Sequence, residues 1–238
     1  MTAIKTYKLT KKYKDVTALA GLDLEVEHGE LFGLLGVNGA GKTTTVKILS
    51  CLVRPTSGDA TVYGKSILND EEEVKSVIGV SPQETAVAPN LTVMENMELM
   101  CGIHGLADGG KRADELINSL GLGDVKNKRA GKLSGGKQRS LSLAMALVAE
   151  PKLLFLDEPT LGLDVIARSE LWDIIKALKG STTIILTTHY MEEAEALCDR
   201  IGIMKDGRML ICDTAENIKA HTGAQRFDDA FVKVVKEG

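Results

Sequence analysis

Three groups of residues in this chain have types and spacings suited to phosphate chemistry. The first is Gly36-Val-Asn-Gly-Ala-Gly-Lys-Thr-Thr44, in which Gly36, Gly41, Lys42 and Thr43 fill the pattern G-x-x-x-x-G-K-[ST]. Glycines let the N–H groups of a tight turn converge on anionic oxygens. Lys42 brings a mobile positive charge to the outer phosphates, and the Thr43 hydroxyl is a hard oxygen ligand suited to Mg²⁺. The second group is Asp157-Glu158, adjacent carboxylates directly after the apolar run Leu153-Leu-Phe-Leu156. Carboxylates at the end of a buried strand are costly unless a cation or hydrogen-bond donors meet them. Beside a phosphate loop, the economical assignment gives Asp157 to the Mg²⁺ shell and Glu158 to an attacking water. The third group is Leu133-Ser-Gly-Gly-Lys-Gln-Arg139, which precedes an apolar helix read as Leu141 to Val148. A serine N-cap with two glycines makes either a well-capped helix or a second anion site, because N–H groups are unpaired at a helix start.

These residues need elements to bring them together. Leu31-Phe-Gly-Leu-Leu35 has the length and continuity of a buried parallel strand, and Thr43 to Val53 carries Val46, Ile48, Leu49 and Leu52 at near-helical spacing. Strand, loop and helix in that order aim the loop and the positive end of the helix dipole at one anion. Leu153 to Leu156 and Thr183-Ile-Ile-Leu186 are two further strand runs, and ligands bind an open parallel sheet at the C-terminal ends of its strands. His189 follows the last of these, as either a structural hydrogen-bonder or a phosphate sensor. Val77-Ile-Gly-Val80 is another strand, and Gln83 in the loop behind it is a solvated residue or a functional one.

At the N-terminal end, Ile4 to Leu9 and Leu22 to Val26 read as strands of an antiparallel sheet with one wet face, lying beside the parallel core. Between them Lys11-Lys-Tyr-Lys14 reads as a polar loop, whose Tyr13 either packs or offers a stacking surface to a nucleobase. From Asn90 to Leu133 helical patterns replace strands, opened by the capping box Thr92-x-x-Glu95, and the segment reads as a helical subdomain inserted into an α/β core. Asp164 caps a helix from Val165 to Leu178, a hairpin follows over Ile201 to Cys212, and two short helices lie between Thr214 and Lys236.

With 238 residues, 44% apolar and 26% charged, the chain suits a soluble globular protein with one large α/β domain or a domain with a satellite. A net charge of -4 gives no electrostatic case for nucleic acid. No apolar stretch approaches the roughly eighteen residues of a spanning helix, and no signal segment opens the sequence, so the chain is expected neither to be secreted nor to insert by itself. Cys51, Cys101, Cys198 and Cys212 are scattered, which favours free thiols over a disulfide framework or a zinc site.

Across essentially its whole length the assembled pattern resembles the nucleotide-binding subunit of ABC transporters. Leu133 to Arg139 is similar to the ABC signature, which ordinary phosphate-loop NTPases lack, and it precedes Leu153 to Glu158 as that family requires. Gly36 to Thr44 resembles Walker A, Leu153 to Glu158 Walker B with its glutamate, Gln83 the Q-loop, Leu163-Asp164 the D-loop, His189 the switch histidine and Tyr13 the adenine-stacking aromatic. The resemblance implies one ABC ATPase domain over 1–238. Within it, 1–85 and 150–238 would form a mostly parallel sheet with an antiparallel side-sheet, and about 86–149 the helical subdomain and signature helix. It implies ATP and Mg²⁺ as ligands, with Tyr13, Asn38, Gly39, Ala40, Gly41, Lys42, Thr43 and Thr44 on the nucleotide. Thr43, Gln83 and Asp157 would surround the metal, and Glu158, His189, Lys42 and Gln83 would serve hydrolysis.

Two subunits, alike or different, would pair head to tail, with Ser134, Gly135 and Gly136 of one closing over the γ-phosphate of the other. A membrane permease would be the partner in trans, and the subunit would sit peripherally on the cytoplasmic face of the membrane. Leu161-Gly-Leu-Asp-Val165 departs from the commoner Gly-Leu-Asp-Pro. The wording of Thr188 to Arg200 and the Phe231 helix resemble the subgroup serving exporters of drugs, lipids, polysaccharides or sodium. The competing expectation is a soluble non-transport ABC ATPase, but relatives of that kind carry two cassettes or long coiled coils, and this chain has one cassette and no sustained heptads. A GTPase would want N-K-x-D, and Asn127-Lys-Arg-Ala130 fails at its last position.

Overall fold

The computed structural model describes residues 1–238. In chain order its strands and helices begin β1 (Thr2–Tyr13), β2 (Val16–Leu22), β3 (Glu25–Glu27), β4 (Leu31–Gly36), α1 (Lys42–Leu49), β5 (Ser57–Val62), β6 (Lys65–Ser66), α2 (Glu71–Ser76) and β7 (Ile78–Ser81). They continue through α3 (Val93–Ile103), α4 (Gly109–Ser119), α5 (Gly135–Leu147), β8 (Leu153–Asp157), α6 (Val165–Leu178) and β9 (Thr183–Thr188). The chain finishes with α7 (Met191–Leu197), β10 (Arg200–Lys205), β11 (Arg208–Asp213), α8 (Ala215–Thr222) and α9 (Phe227–Glu237). None of these helices is long and apolar enough to cross a membrane.

The N-terminal alternation becomes an antiparallel sheet in which β1 pairs with β2, β3 and β5, and β6 extends beyond β5. Leu22, Leu24 and Val26 are buried while Asp23, Glu25 and Glu27 face solvent, as the pattern requires. Three expectations change here, the first being that the strand read over Leu22 to Val26 is broken, with Leu22 ending β2 and β3 covering only Glu25–Glu27. Tyr13 closes β1 instead of standing in a loop, and β2 occupies a stretch with no expected strand. Small and polar residues at Thr17, Ala18, Ala20 and Gly21 give β2 no clear period, but pairing of Leu19 with Lys11 and of Val16 with Tyr13 holds it in place. Cross-strand neighbours override weak local preference in sheets.

The central sheet has the order β11-β10-β4-β9-β8-β7, parallel throughout except for the antiparallel edge strand β11. Its middle strands β4, β8 and β9 are buried along their whole length because both faces are covered. Phe32, Leu34, Phe155 and Ile185 pack with Val46, Ile48 and Leu49 of α1 and with the antiparallel sheet. The alternate residues Leu31, Leu154, Leu156, Ile184 and Leu186 pack instead with α3 to α6. Burying each such large side chain stabilises the fold by about 1.5–3 kcal/mol. A third cluster joins Leu35, Ile201 and Ile203 to Ala194 of α7 and to Ile218, Phe227 and Phe231 of the last two helices.

Two helix boundaries differ from the sequence expectation. α1 stops at Leu49, and Cys51 takes a left-handed φ of 60° that prevents its continuation. α5 starts at Gly135 and not at Leu141, so both signature glycines lie in its first turn. The serine cap sets this start, because Ser134 Oγ accepts the N–H of Lys137. The capping box at Thr92 and Glu95 forms as expected.

Candidate nucleotide site

Parallel pairing explains why residues far apart in sequence meet. β4, β9, β8 and β7 run side by side, so their C-terminal ends share one edge, with Leu35 opposite Thr188, Asp157 opposite Thr187 and Ser81 beside Leu156. Across that edge the chain presents the Gly36 to Gly41 loop, then His189, then Glu158, then Gln83. A cavity of about 550 Å³ opens there. It is lined by Tyr13, Asn38, Gly39, Ala40, Gly41, Lys42, Thr43, Thr44, Gln83, Glu158 and His189 from the expected set, and by Val16, Ala18 and Leu161 besides.

The loop is shaped by close contact. Gly41 has a φ of 105°, and a Cβ at that position would stand 2.6 Å from the carbonyl oxygen of Ala18. No larger residue fits, and no side chain caps the helix behind it. The first N–H groups of α1 are therefore open to an anion at the positive end of the helix.

Lys42 is only 5% exposed. Its Nζ donates to the carbonyls of Gly36 at 2.7 Å and Val37 at 3.3 Å, and lies 3.7 Å from Glu158 Oε1. Burial holds its pKa below the usual lysine value, against the opposing pull of Glu158 and Asp157. A partly desolvated ammonium with a free face toward the cavity is a strong hydrogen-bond donor to phosphate oxygens.

Behind the cavity wall the Thr43 hydroxyl donates to Asp157 Oδ1 at 3.1 Å. Asp157 is buried and also accepts the hydroxyl of Thr187, which in turn accepts the Glu158 N–H at 3.0 Å. Thr187 thus braces both carboxylate residues, a role the sequence reading does not anticipate. Glu158 has a φ of 48°, the left-handed region that a non-glycine residue holds only when its surroundings fix it. Its Oε2 lies 3.2 Å from His189 Nδ1 in a contact not aligned as a hydrogen bond, so that buried nitrogen has no hydrogen-bond partner. The His189 ring stacks on Tyr190 with centroids 4.2 Å apart, and the Arg168 guanidinium covers the other ring at 5.0 Å.

The oxygen donors Thr43 and Asp157 in contact, with Gln83 lining the same cavity, form a set suited to Mg²⁺, which takes oxygen ligands and retains water and phosphate in its shell. No cluster of three or more His, Cys, Asp or Glu side chains is arranged to hold a metal unaided.

Ser134, Gly135 and Gly136 do not line this cavity. They form the start of α5, where a Cβ on Gly136 would stand 2.8 Å from that of Ala167 at the start of α6. Asp164 caps α6 through the N–H of Ala167 at 2.9 Å. Beside this junction Val165 and Ile166 are 78% and 73% exposed.

A family profile described as ABC transporter matches residues 19–161. The chain is 44% identical over 230 residues to the daunorubicin resistance ATP-binding protein DrrA3 of Streptomyces coeruleorubidus, covering 95% of this chain and 73% of that one. Among solved structures it is similar to an ATP-binding subunit of an ABC transporter, with 27% identity, a TM-score of 0.87 and coverage of 98% and 100% of the two chains. It is also similar to a dimeric ATP-binding cassette in a post-hydrolysis state bound to ADP and Pi, with 28% identity, a TM-score of 0.80 and coverage of 89% and 98%. With a phosphate loop, a braced carboxylate pair and a signature helix in one α/β frame, the chain belongs to the ABC transporter family, as an ATP-binding and ATP-hydrolysing subunit.

Proposed function

We propose that the cavity takes ATP with Mg²⁺ and that hydrolysis there drives export through a membrane permease, with the subunit peripheral on the cytoplasmic face. Tyr13 stacks on the base, with Val16 and Ala18 beside it. Asn38, Gly39, Ala40, Gly41 and Thr44 wrap the phosphates, and Lys42 holds their outer oxygens. Thr43, Gln83 and Asp157 hold Mg²⁺, which when bound neutralises phosphate charge. Glu158 orients and polarises the attacking water, and His189, whose side chain lines the cavity, holds the γ-phosphate. The catalytic power is positioning and electrostatics.

The observation that carries this is the convergence of Lys42, at the start of α1, with Glu158 and His189, just past the ends of the neighbouring parallel strands β8 and β9, within 3.7 Å and 3.2 Å contacts. Ser134, Gly135 and Gly136 serve the nucleotide of a second ATP-binding chain, alike or different, and the exposed Val165 and Ile166 beside them are covered in that pairing. The dimeric cassette among similar structures and the drug-resistance name of the curated relative support these two steps. Residues of about 86–149 act as a helical subdomain that passes closure to the permease. No role with nucleic acid is proposed.

The test is Glu158→Gln. It should bind Mg·ATP as the parent does while hydrolysis falls by about 10²–10⁴-fold, the usual contribution of a positioned general base. Hydrolysis within about threefold of the parent removes Glu158 from this role.

A further inference from the structure

Arg139 closes the signature stretch and has no part in the scheme above, yet it is among the most buried charged residues of the chain, at 4% exposure. It lies in the second turn of α5, whose start carries Ser134. Its guanidinium reaches three backbone carbonyls in two other segments. Nη1 donates to Pro82 at 2.6 Å, and Nη2 donates to Gln83 at 2.8 Å and to Glu158 at 3.3 Å.

A desolvated guanidinium is retained only where its donors are used, and a rigid planar fork fixes the groups it binds relative to one another. The groups here are the loop that presents Gln83 to the cavity and the residue whose left-handed backbone aims the carboxylate at it. Thr187 holds the N–H side of Glu158, and Arg139 holds its carbonyl side. Both anchors lie outside the cavity lining, so neither needs to touch nucleotide to affect where Gln83 and Glu158 stand.

We propose that Arg139 is a positioning residue that ties the signature helix to the backbones of Gln83 and Glu158. Engagement of Ser134 with the neighbouring chain's nucleotide is thereby transmitted to this chain's own water-activating carboxylate. The inference rests on the roles proposed for Glu158 and Ser134.

The experiment compares Arg139→Gln, Arg139→Lys, Glu158→Gln and the double variant Arg139→Gln/Glu158→Gln with the parent, all as the full chain. Amide hydrogen exchange is followed without nucleotide, and kcat and KM for Mg·ATP with it. Arg139→Gln should speed exchange of the Glu158 N–H, which is bonded to Thr187, by about tenfold or more and leave the helix at 42–49 unchanged. It should lower kcat by about 10- to 100-fold with KM within about twofold, the size expected for lost charge-assisted hydrogen bonds. Arg139→Lys keeps the charge without the planar fork and should fall between, so it carries the test if Arg139→Gln does not fold. The double variant should lose less than the product of the two single losses, because part of the Arg139 effect acts through the Glu158 carboxylate.

Unchanged kcat in the Arg139 variants overturns the inference, whether or not exchange rises, and so does an additive loss in the double variant. If Glu158→Gln stays active, the role of Glu158 itself fails. If it is inactive while the Arg139 variants match the parent, only the positioning role fails.

Discussion

Thr187→Val removes one buried hydroxyl at nearly constant volume, and its consequence can be worked from three contacts. The Thr187 side chain is fully buried, donates to Asp157 Oδ1 and accepts the Glu158 N–H at 3.0 Å. Glu158 N–H keeps a second acceptor in the Thr187 carbonyl at 3.1 Å, so its loss is partial. Asp157 keeps only the Thr43 hydroxyl at 3.1 Å and becomes a buried carboxylate with one donor fewer. A hydrogen bond to a charged group contributes about 1.5–3 kcal/mol, so the variant should lose about 2 kcal/mol of stability. For a chain of this size each kcal/mol moves Tm by about 2–4 °C, which gives a fall of about 4–8 °C. Thr187→Ser keeps the hydroxyl and loses one methyl, at about 1 kcal/mol. Differential scanning calorimetry of parent, Val and Ser variants without nucleotide reads both numbers. A Val variant melting within about 1 °C of the parent, or a Ser variant less stable than the Val variant, refutes the bracing role.

Lys42→Ala should weaken Mg·ATP binding by about 100-fold in a fluorescence titration, since the one buried ammonium at the phosphate loop is lost; affinity within about threefold of the parent contradicts that placement. Tyr13→Ala should weaken binding by about tenfold, the usual size of a base–aromatic stack, and an unchanged affinity returns Tyr13 to ordinary packing. Burial pushes the Glu193 carboxyl above the usual glutamate range, against hydrogen bonds that include one from Trp172 Nε1 at 3.1 Å. The folded state then binds more protons than the unfolded chain in the window between those two values, so stability falls as pH rises through it. Glu193→Gln should flatten the fall in Tm as pH rises above the usual glutamate range, and equal slopes in the two proteins contradict it.

The strands that carry the site were legible because both faces are buried. Leu31 to Leu35, Leu153 to Leu156 and Ile184 to Leu186 are short apolar runs that leave few alternatives, and the residues at their ends follow. β2 was not legible, because its side chains are small or polar and its existence depends on pairing with β1. The same strand supplies Val16 and Ala18 to the cavity, so that part of the lining was missed with it. Thr187 was missed for another reason. A threonine inside a strand is ordinary, and only the parallel register that sets it opposite Asp157 gives its hydroxyl a task. Ser134 to Gly136 were legible as a helix cap but not as the start of α5, since the apolar period that marks the helix begins only at Leu141.

The central claim is that ATP sits between two chains, held by Lys42 of one and closed over by Ser134 of the other. Light scattering on Glu158→Gln with saturating Mg·ATP tests it most directly. ATP, and not ADP, should double the mass of this variant, and adding Ser134→Arg should abolish the doubling while ATP still binds. A Glu158→Gln chain that stays monomeric at saturating Mg·ATP contradicts pairing between like chains, and one that dimerises equally well with Ser134→Arg contradicts the placing of Ser134 over the neighbour's ATP.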